Sequence, residues 1–292
     1  MDLHTVEMIN SAGIWAILAL SLNVIVGYAG IASIGHAAFY AIGAYSSAIM
    51  CVRLGAPPWL GMAVGCVLAA GLGALISIPS LRLRDDYLML TTLGFGEIVY
   101  LTCRNWESLT NGPRGIGGIP TLRVLSVPVT EMGLMPWLIW GCVFTLAGLL
   151  WALEHSPFGR QMMAVRDNEI AAMSLGVRPI LYKLTAMVVG AMAASFAGSL
   201  LAHKLSFIDS EAGFGLSTSV MVFAMVILGG RGSIMGVVAG AILLSAVPEV
   251  LRRFGLPLAT AAPLRQIIFG ILLVAIVVFR PQGLFGKLKF RE

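Results

Sequence analysis

Long runs without a charged residue most constrain what this chain can fold into. An ordinary soluble domain is about 25% charged, whereas this chain is 11% charged and 58% hydrophobic. A run of about 18 or more apolar residues is long enough to cross a bilayer as a helix. Runs near or above that length that lack Asp, Glu, Lys and Arg occupy residues 8–35, 54–81, 132–153, 184–202 and 212–230. The chain is therefore predicted to be a membrane protein built from helices.

The apolar pattern predicts an all-α fold, a polytopic membrane helical bundle formed by one domain over residues 1–292. With spans of about 20 residues, it predicts about 8–9 transmembrane helices, of which one or two are broken. The predicted helices are 11–28, 33–52, 58–80, 86–103, 136–153, 184–203, 216–230, 233–250 and 264–280. The closely spaced pair 216–230 and 233–250 fits either two short spans or one broken element that turns back.

The flanking charges predict how the chain sits in the membrane. The N-terminus, MDLHTVEMIN, has two acids and no Lys or Arg, so it lacks the basic region of a cleaved signal peptide. The tail RPQGLFGKLKFRE is basic, which favours a cytoplasmic C-terminus, together with the 154–183 loop. The net charge of +5 fits loops that face anionic lipid. Because no basic cluster is interleaved with aromatic residues, nucleic acid is not an expected partner.

The sequence carries no pattern for catalysis or for a bound cofactor. The phosphate-binding pattern GxxxxGK[ST], the zinc pattern HExxH and the nucleophile pattern GxSxG are all missing from it. The four cysteines form no CxxC pair and lie in or beside apolar runs, as small buried hydrophobic residues do. We therefore predict no catalytic residue, no metal ligand and no cofactor held by this chain.

Polar side chains inside the predicted spans are candidates for a translocation path. Glu97 is flanked by apolar residues, and a central acid costs about 2.5–3.5 kcal/mol in a membrane helix. It either lines a transport path or bonds a neighbouring helix. Asn23, Ser33, His36 and Tyr40 lie in a glycine-interrupted stretch, 18–45, where a broken helix exposes backbone groups to a polar solute. Close helix packing with satisfied hydroxyl groups is the alternative for Ser33 and Tyr40.

The segment AVRDNEIAAMSLG at 164–176 gathers charges in an otherwise apolar chain. It predicts a helix of about eight residues, with Asp167 as the N-cap, Glu169 in the first turn and Gly176 at the end. Such a helix is too short to be stable alone in water. Its small residues, Ala171 and Ala172, suit close approach to a partner. The segment is therefore predicted to dock on another protein.

The pattern E-x-A-A-x-x-x-G in this segment resembles the E-A-A loop of ATP-binding-cassette (ABC) importer permeases. Further blocks occur in the order seen in the M-type permease of the branched-chain amino-acid (Liv) family. They are SLNVIVGYAGIASIGHAAFYAIGAY, LRLRDDYLMLTTLGFGEIV, LTNGPRGIGGIP, FGRQMMAVRDNEIAAMSLGV and VILGGRGSIMGVVAGAIL. Together they cover residues 15–285, nearly all of the chain.

The resemblance implies a permease subunit that forms the path for branched-chain amino acids across the bacterial inner membrane. It implies two ATPase subunits that hold ATP and magnesium, a homologous second permease, and a periplasmic or extracellular substrate-binding protein. Arg114 is expected to meet that binding protein. The short cytoplasmic coupling helix would contact an ATPase subunit through Arg166, Asp167, Asn168, Glu169, Ala171, Ala172 and Gly176.

Two other readings of the function stay open at this point. Related permeases carry urea and short amides, so the resemblance to the family does not fix the solute. A secondary transporter that works without ATP would need coupled charges in the middle of the membrane, where Glu97 is the clearest candidate.

Overall fold

The computed structural model describes residues 3–80, 85–124, 127–128, 133–210, 213–253, 267, 270–271, 274 and 283–285. Within them the chain is a bundle of helices. The helices are α1 Leu3–Asn23, α2 His36–Leu54, α3 Pro58–Ser80, α4 Asp85–Asn105, α5 Glu107–Thr110, α6 Met135–His155, α7 Pro157–Asp167, α8 Glu169–Ser174, α9 Pro179–Leu205, α10 Leu216–Gly229 and α11 Ile234–Arg253. A π-helical turn, Val24–Tyr28, extends α1, and a 3₁₀ turn covers Gly112–Arg114.

The short strands form two antiparallel ladders. Strand β1, Ile116–Gly117, pairs with β4, Phe207–Ile208, and so joins the segment after α4 to the end of α9. Strands β2, Arg123–Val124, and β3, Val127–Pro128, pair with each other. The ladders are too short to alter the class of the fold, which is helical as predicted.

Among the described residues, five helical segments are long and apolar enough to cross a membrane: His4–Tyr28, His36–Leu54, Pro58–Ser80, Met135–His155 and Pro179–Leu205. Helices α10 and α11 supply shorter apolar segments. Eight of the predicted helices match α1–α4, α6 and α9–α11. Their ends differ from the predicted ones by at most five residues, except that α1 begins eight residues before its predicted start. The ninth, 264–280, lies outside the described residues apart from isolated helical positions. The predicted number of about 8–9 spans is not confirmed.

Helix α9 lies at the centre of the bundle and packs against α1, α2 and α3. Small residues permit this close approach. A side chain at Gly43 would collide with the Ser195 backbone, and one at Gly198 would collide with the carbonyl of Tyr40. In lipid, close packing of this kind replaces the hydrophobic effect as the force that holds helices together.

The bundle has two distinct ends. At the first, which we call the α8 end, α6 finishes, α7 and α8 follow, and α9 begins. At the opposite end, Lys204 near the end of α9 donates a hydrogen bond to Ser11 Oγ near the start of α1, over 2.8 Å. Helices α1 and α6 therefore run towards the α8 end, while α2 and α9 run away from it.

The chain is broken at two places near the α8 end. Residues 29–35 interrupt the helical path between the π turn and α2, and residues 230–233 connect α10 to α11. The stretch 18–45 is thus interrupted at 29–35, and the predicted pair 216–230 and 233–250 forms two helices with a short connection. The backbone N–H groups of Leu284 and Phe285 donate to the carbonyls of Leu228 and Gly229, over 2.8 and 3.1 Å. Residues 283–285 thus lie at the α8 end and complete the end of α10.

Candidate functional site

The 156–178 segment contains two consecutive helices, of which the sequence predicted only the second. Ser156 caps α7 by accepting a hydrogen bond from the backbone of Gly159, over 3.0 Å, and Pro157 occupies the first turn. A serine cap followed by proline is a sequence signal for a helix start, and it was overlooked here. Helix α7 continues to Asp167, so this residue ends a helix instead of capping one.

Asn168 is the N-cap of α8, which corrects the prediction of Asp167. Its backbone is extended, and its Oδ1 accepts from the N–H of Ala171 over 2.9 Å. Extended backbone at this residue also separates the axes of α7 and α8. Helix α8 is therefore six residues long, Glu169–Ser174, shorter than predicted.

The predicted end of α8 at Gly176 is confirmed. Gly176 has φ of +82°, in the left-handed region that glycine adopts without strain. Its N–H bonds the carbonyl of Met173 over 2.9 Å, while the N–H of Val177 bonds that of Ala172 over 3.1 Å. This pair of bonds is the Schellman motif, which satisfies carbonyls that the end of a helix leaves free.

Helix α8 is attached to the bundle on one face and exposed on the other. Glu169 Oε2 accepts from Lys183 Nζ on α9 over 2.7 Å, and Ala172 is buried. Ala171 and Ser174 are exposed. Large apolar side chains also face outwards, since Ile170 is 74% and Leu175 is 84% exposed. An exposed apolar patch on a short helix is typical of a surface that another protein covers.

Arg166 joins the 156–178 segment to the π turn at the end of α1. Its Nη1 donates to the carbonyl oxygen of Gly27, within the π turn, over 2.7 Å, and its Nη2 lies 2.8 Å from Asp167 Oδ1. Tyr28 is buried within electrostatic range of both Arg166 and Glu154. Burial and the nearby Arg166 charge lower the pKa of Arg231, in the 230–233 connection.

The two broken segments of the chain meet beside Arg166. Asn23 Oδ1 accepts from the N–H of Gly232 over 2.9 Å. A side chain at Gly27 would collide with Asn23 Oδ1 and would lie 2.6 Å from the Gly232 nitrogen. We call this contact of Asn23, Gly27, Arg166 and Gly232 the glycine junction. Asn23, which was predicted to line the translocation path, lies in this contact.

Ser33 and His36 lie where the chain resumes as α2. The nitrogen Nε2 of His36 lies 2.7 Å from Ser21 Oγ on α1, and both residues are buried. Since Ser21 donates its hydroxyl hydrogen to the Leu18 carbonyl, His36 Nε2 is the donor in this pair. His36 Nδ1 and Ser33 Oγ are buried without a hydrogen-bond partner among the described residues.

Tyr40 and Glu97 both lie near Phe214. The rings of Tyr40 and Phe214 are 5.4 Å apart. Glu97 and Phe214 both line a narrow cavity between α2, α4 and the start of α10. Ser219 lies in the same cavity and accepts from the backbone N–H of Ala37 over 3.0 Å. Glu97 thus faces the bundle interior near the start of α2, while Arg114 is exposed at the opposite end.

Comparison with known proteins identifies the family to which this chain is similar. Residues 4–277 match the family model described as "Branched-chain amino acid transport system / permease component".

The chain belongs to this permease family.

Relatives with curated descriptions agree with the family match. The "High-affinity branched-chain amino acid transport system permease protein LivM" of Escherichia coli (strain K12) is 36% identical, over 96% of this chain and 69% of that protein. The "Probable branched-chain amino acid transport permease protein LivM" of Methanocaldococcus jannaschii is 25% identical, over 94% and 91%. The resemblance inferred from the sequence blocks is confirmed, and the permease is a multi-pass membrane protein.

The permease contains a further polar cluster that the sequence did not reveal. Asp209 and Ser210 follow β4 at the opposite end, and Tyr45 lies on α2 within electrostatic range of Asp209. Asp209 Oδ1, Ser210 Oγ and the Tyr45 hydroxyl are buried and lack a hydrogen-bond partner within the described parts of the chain. We call these residues the unpaired cluster. Their only sequence signal is a polar pair before an apolar helix, which does not identify Tyr45 as a neighbour.

Proposed function

We propose that this chain is the transmembrane permease subunit of an ABC importer for branched-chain and similar hydrophobic amino acids. The observation that carries the proposal is a short helix, α8, with an exposed apolar face and a direct link through Arg166 to the broken end of α1. Family membership supports it, since the relatives are named as permeases for branched-chain amino acids. The relatives also favour these amino acids over urea or short amides.

The proposed complex contains two ATPase subunits, a second homologous permease and a periplasmic or extracellular substrate-binding protein. The permease lies in the bacterial inner membrane with the α8 end, and with it the C-terminus, in the cytoplasm. The ATPase subunits hold ATP and magnesium, so this chain is not itself an enzyme. The opposite end, which carries Arg114, faces the binding protein.

Coupling begins at the exposed face of α8. An ATPase subunit covers Ile170, Met173 and Leu175, and ATP-driven closure pulls on α8. Arg166 lies three residues before this helix and bonds the Gly27 carbonyl, so the displacement reaches the π turn. Through the hydrogen bond between Asn23 and Gly232 in the glycine junction, the displacement then reaches the 230–233 connection. Alternating access then follows from motion of the two broken elements.

Co-purification tests whether α8 binds the ATPase. Ile170→Asp places a charge on the exposed apolar face and is expected to lower the amount of ATPase recovered with the tagged permease at least about tenfold. Leu109→Asp is the matched control, because Leu109 is a partly exposed apolar residue on α5 at the opposite end. It is expected to leave recovery unchanged.

Uptake tests the transport function itself. Proteoliposomes that contain the full complex and loaded binding protein are expected to accumulate leucine only when ATP is present. Leucine uptake by the permease alone, without ATP, would support a secondary transporter and reject the proposal. Equal recovery of the ATPase with Ile170→Asp and Leu109→Asp would reject the assignment of α8.

A further inference from the structure

The unpaired cluster is a polar site whose buried atoms have no partner among the described residues. Tyr45 is 3% and Ser210 is 1% exposed, yet neither hydroxyl forms a hydrogen bond within the described residues, and the same holds for Asp209 Oδ1. An unsatisfied buried polar group costs about 1–3 kcal/mol, and more when it is charged. Tyr45 lies within electrostatic range of Asp209, and Ser210 is the next residue in the chain. Unsatisfied groups so placed indicate a site that a polar ligand or water completes.

The chemistry of the cluster favours a cation with several hydrogen-bond donors. Asp209 is a carboxylate without an ion pair among the described residues. A primary ammonium group has a positive charge and three N–H donors. The cluster offers three oxygen acceptors, on Asp209, Ser210 and Tyr45. A divalent metal ion would instead need about six oxygen ligands.

An apolar surface lies directly beside the cluster. The rings of Tyr45 and Phe214 are 5.7 Å apart. Phe214 is buried, and it also lines the cavity that contains Glu97. A ligand held at the cluster by its ammonium group would therefore have an aromatic side chain within reach. An amino acid with an apolar side chain has both of these features.

We propose that Asp209, Tyr45 and Ser210 bind the ammonium group of the transported amino acid at the end of the bundle opposite α8. This inference rests on the proposed function and names the residues that first contact the solute within the permease. Phe214 packs against the apolar side chain of the solute. Glu97, on the far side of Phe214, receives the ammonium group next as the solute moves towards the α8 end.

Transport by the reconstituted complex provides the first test. Asp209→Asn keeps the shape of the side chain but removes its charge. It is expected to lower leucine uptake at least about tenfold, since a charged hydrogen bond is lost, while ATP hydrolysis stimulated by loaded binding protein stays within about twofold. Tyr45→Phe is expected to lower uptake about threefold. Glu107→Gln removes an exposed carboxylate on α5 at the same end and is expected to have no effect.

The outcomes of this test separate the subsite from the function. If the wild-type complex takes up no leucine, the proposed function fails. If the wild type transports leucine and Asp209→Asn transports it equally well, the ammonium subsite is rejected while the function stands. A parallel loss of uptake, ATP hydrolysis and complex yield in Asp209→Asn would assign a structural role to the residue and would also reject the subsite.

Thermal unfolding of the purified complex tests binding without transport. The probe is 3-methylbutylammonium chloride, which carries the ammonium group and a branched apolar chain. At a saturating concentration it is expected to raise the unfolding temperature by about 2 °C, whereas 3-methylbutanol and sodium chloride are not. The shift is expected to disappear in Asp209→Asn. An equal shift in this variant, or with sodium chloride, would overturn the proposal.

Discussion

Two regions of the bundle differ in whether their charged side chains have partners: the 156–178 segment at the α8 end and the unpaired cluster towards the opposite end. At the α8 end nearly every charged group described above is paired: Arg166 with Gly27 and Asp167, and Glu169 with Lys183. At the opposite end the unpaired cluster leaves Asp209, Ser210 and Tyr45 without partners among the described residues. The paired carboxylates are the more accessible ones, since the side chains of Asp167 and Glu169 are 61% and 44% exposed, so access to solvent does not explain why the cluster is unpaired.

The difference reflects what each end is suited to do. A paired group fixes the distance between two elements, so that movement of one displaces the other. An unpaired buried group retains its capacity to bind and is satisfied only when a ligand arrives. The α8 end therefore has the properties of a mechanical link, and the opposite end has those of a binding site.

The largest effect is expected at the glycine junction. Gly27→Ala brings a methyl group into collision with Asn23 Oδ1, and overpacking of this kind costs about 1–3 kcal/mol. We expect a lower unfolding temperature in detergent and almost complete loss of leucine uptake. Gly71→Ala, on α3, is the control, because no atom lies within 4 Å of the added methyl group. Normal uptake by Gly27→Ala would show that the junction is not a rigid link.

A smaller effect is expected from removing the hydrogen bond between Arg166 and the Gly27 carbonyl. Arg166→Gln removes a charge-assisted hydrogen bond to Gly27, worth about 1.5–3 kcal/mol, and is expected to reduce uptake about tenfold. The ATPase subunit should still co-purify, since the exposed face of α8 is unchanged. Arg160→Gln is the control, because among the described residues Arg160 bonds the His155 carbonyl at the end of the neighbouring helix and nothing in the glycine junction. Loss of the ATPase from Arg166→Gln would make this residue part of the docking surface instead.

The N-cap of α8 gives an intermediate prediction. Asn168→Ala removes the cap, which costs about 1 kcal/mol, and should weaken binding of the ATPase about fivefold. Asn168→Asp retains an acceptor oxygen and should bind normally. The affinity of the purified permease complex for added ATPase is the measurement. Equal affinities for the alanine and aspartate variants would show that the cap does not hold α8 in its docking position.

The ion pair between Glu169 and Lys183 should have the smallest effect. Glu169 is 44% exposed at its side chain, and exposed pairs contribute about 0–1 kcal/mol. A double-mutant cycle with Glu169→Gln and Lys183→Gln, measured by the affinity for the ATPase, should give a coupling energy of about 0.5 kcal/mol. A coupling energy near 3 kcal/mol would mean that this pair, and not Arg166, is the main attachment of α8.

Much of the fold was predictable because membrane helices depend on local composition. The uncharged runs located α1, α3, α6 and α9 closely, and Gly176 fixed the end of α8 because only glycine adopts its backbone conformation easily. Asp167 was wrongly taken as the cap because either of two adjacent polar residues fits that role. The backbone conformation of Asn168, which depends on α7, decides between them.

The candidate sites were less predictable because they form between distant segments. Asn23 was identified as a polar residue in a span, but its partner, Gly232, is 209 residues further along the chain. Tyr45 resembles any aromatic residue of a membrane helix until β4 brings Asp209 close to it. Single-residue patterns identify which side chains are unusual, while packing determines which of them meet.

The hydrogen bonds of Leu284 and Phe285 to the end of α10 have a consequence for folding. The carbonyls of Leu228 and Gly229, next to the 230–233 connection, find their donors 56 residues further along the chain. These two bonds cannot form until residues 284 and 285 have been synthesised, so the end of α10 acquires them after the rest of that helix is in place.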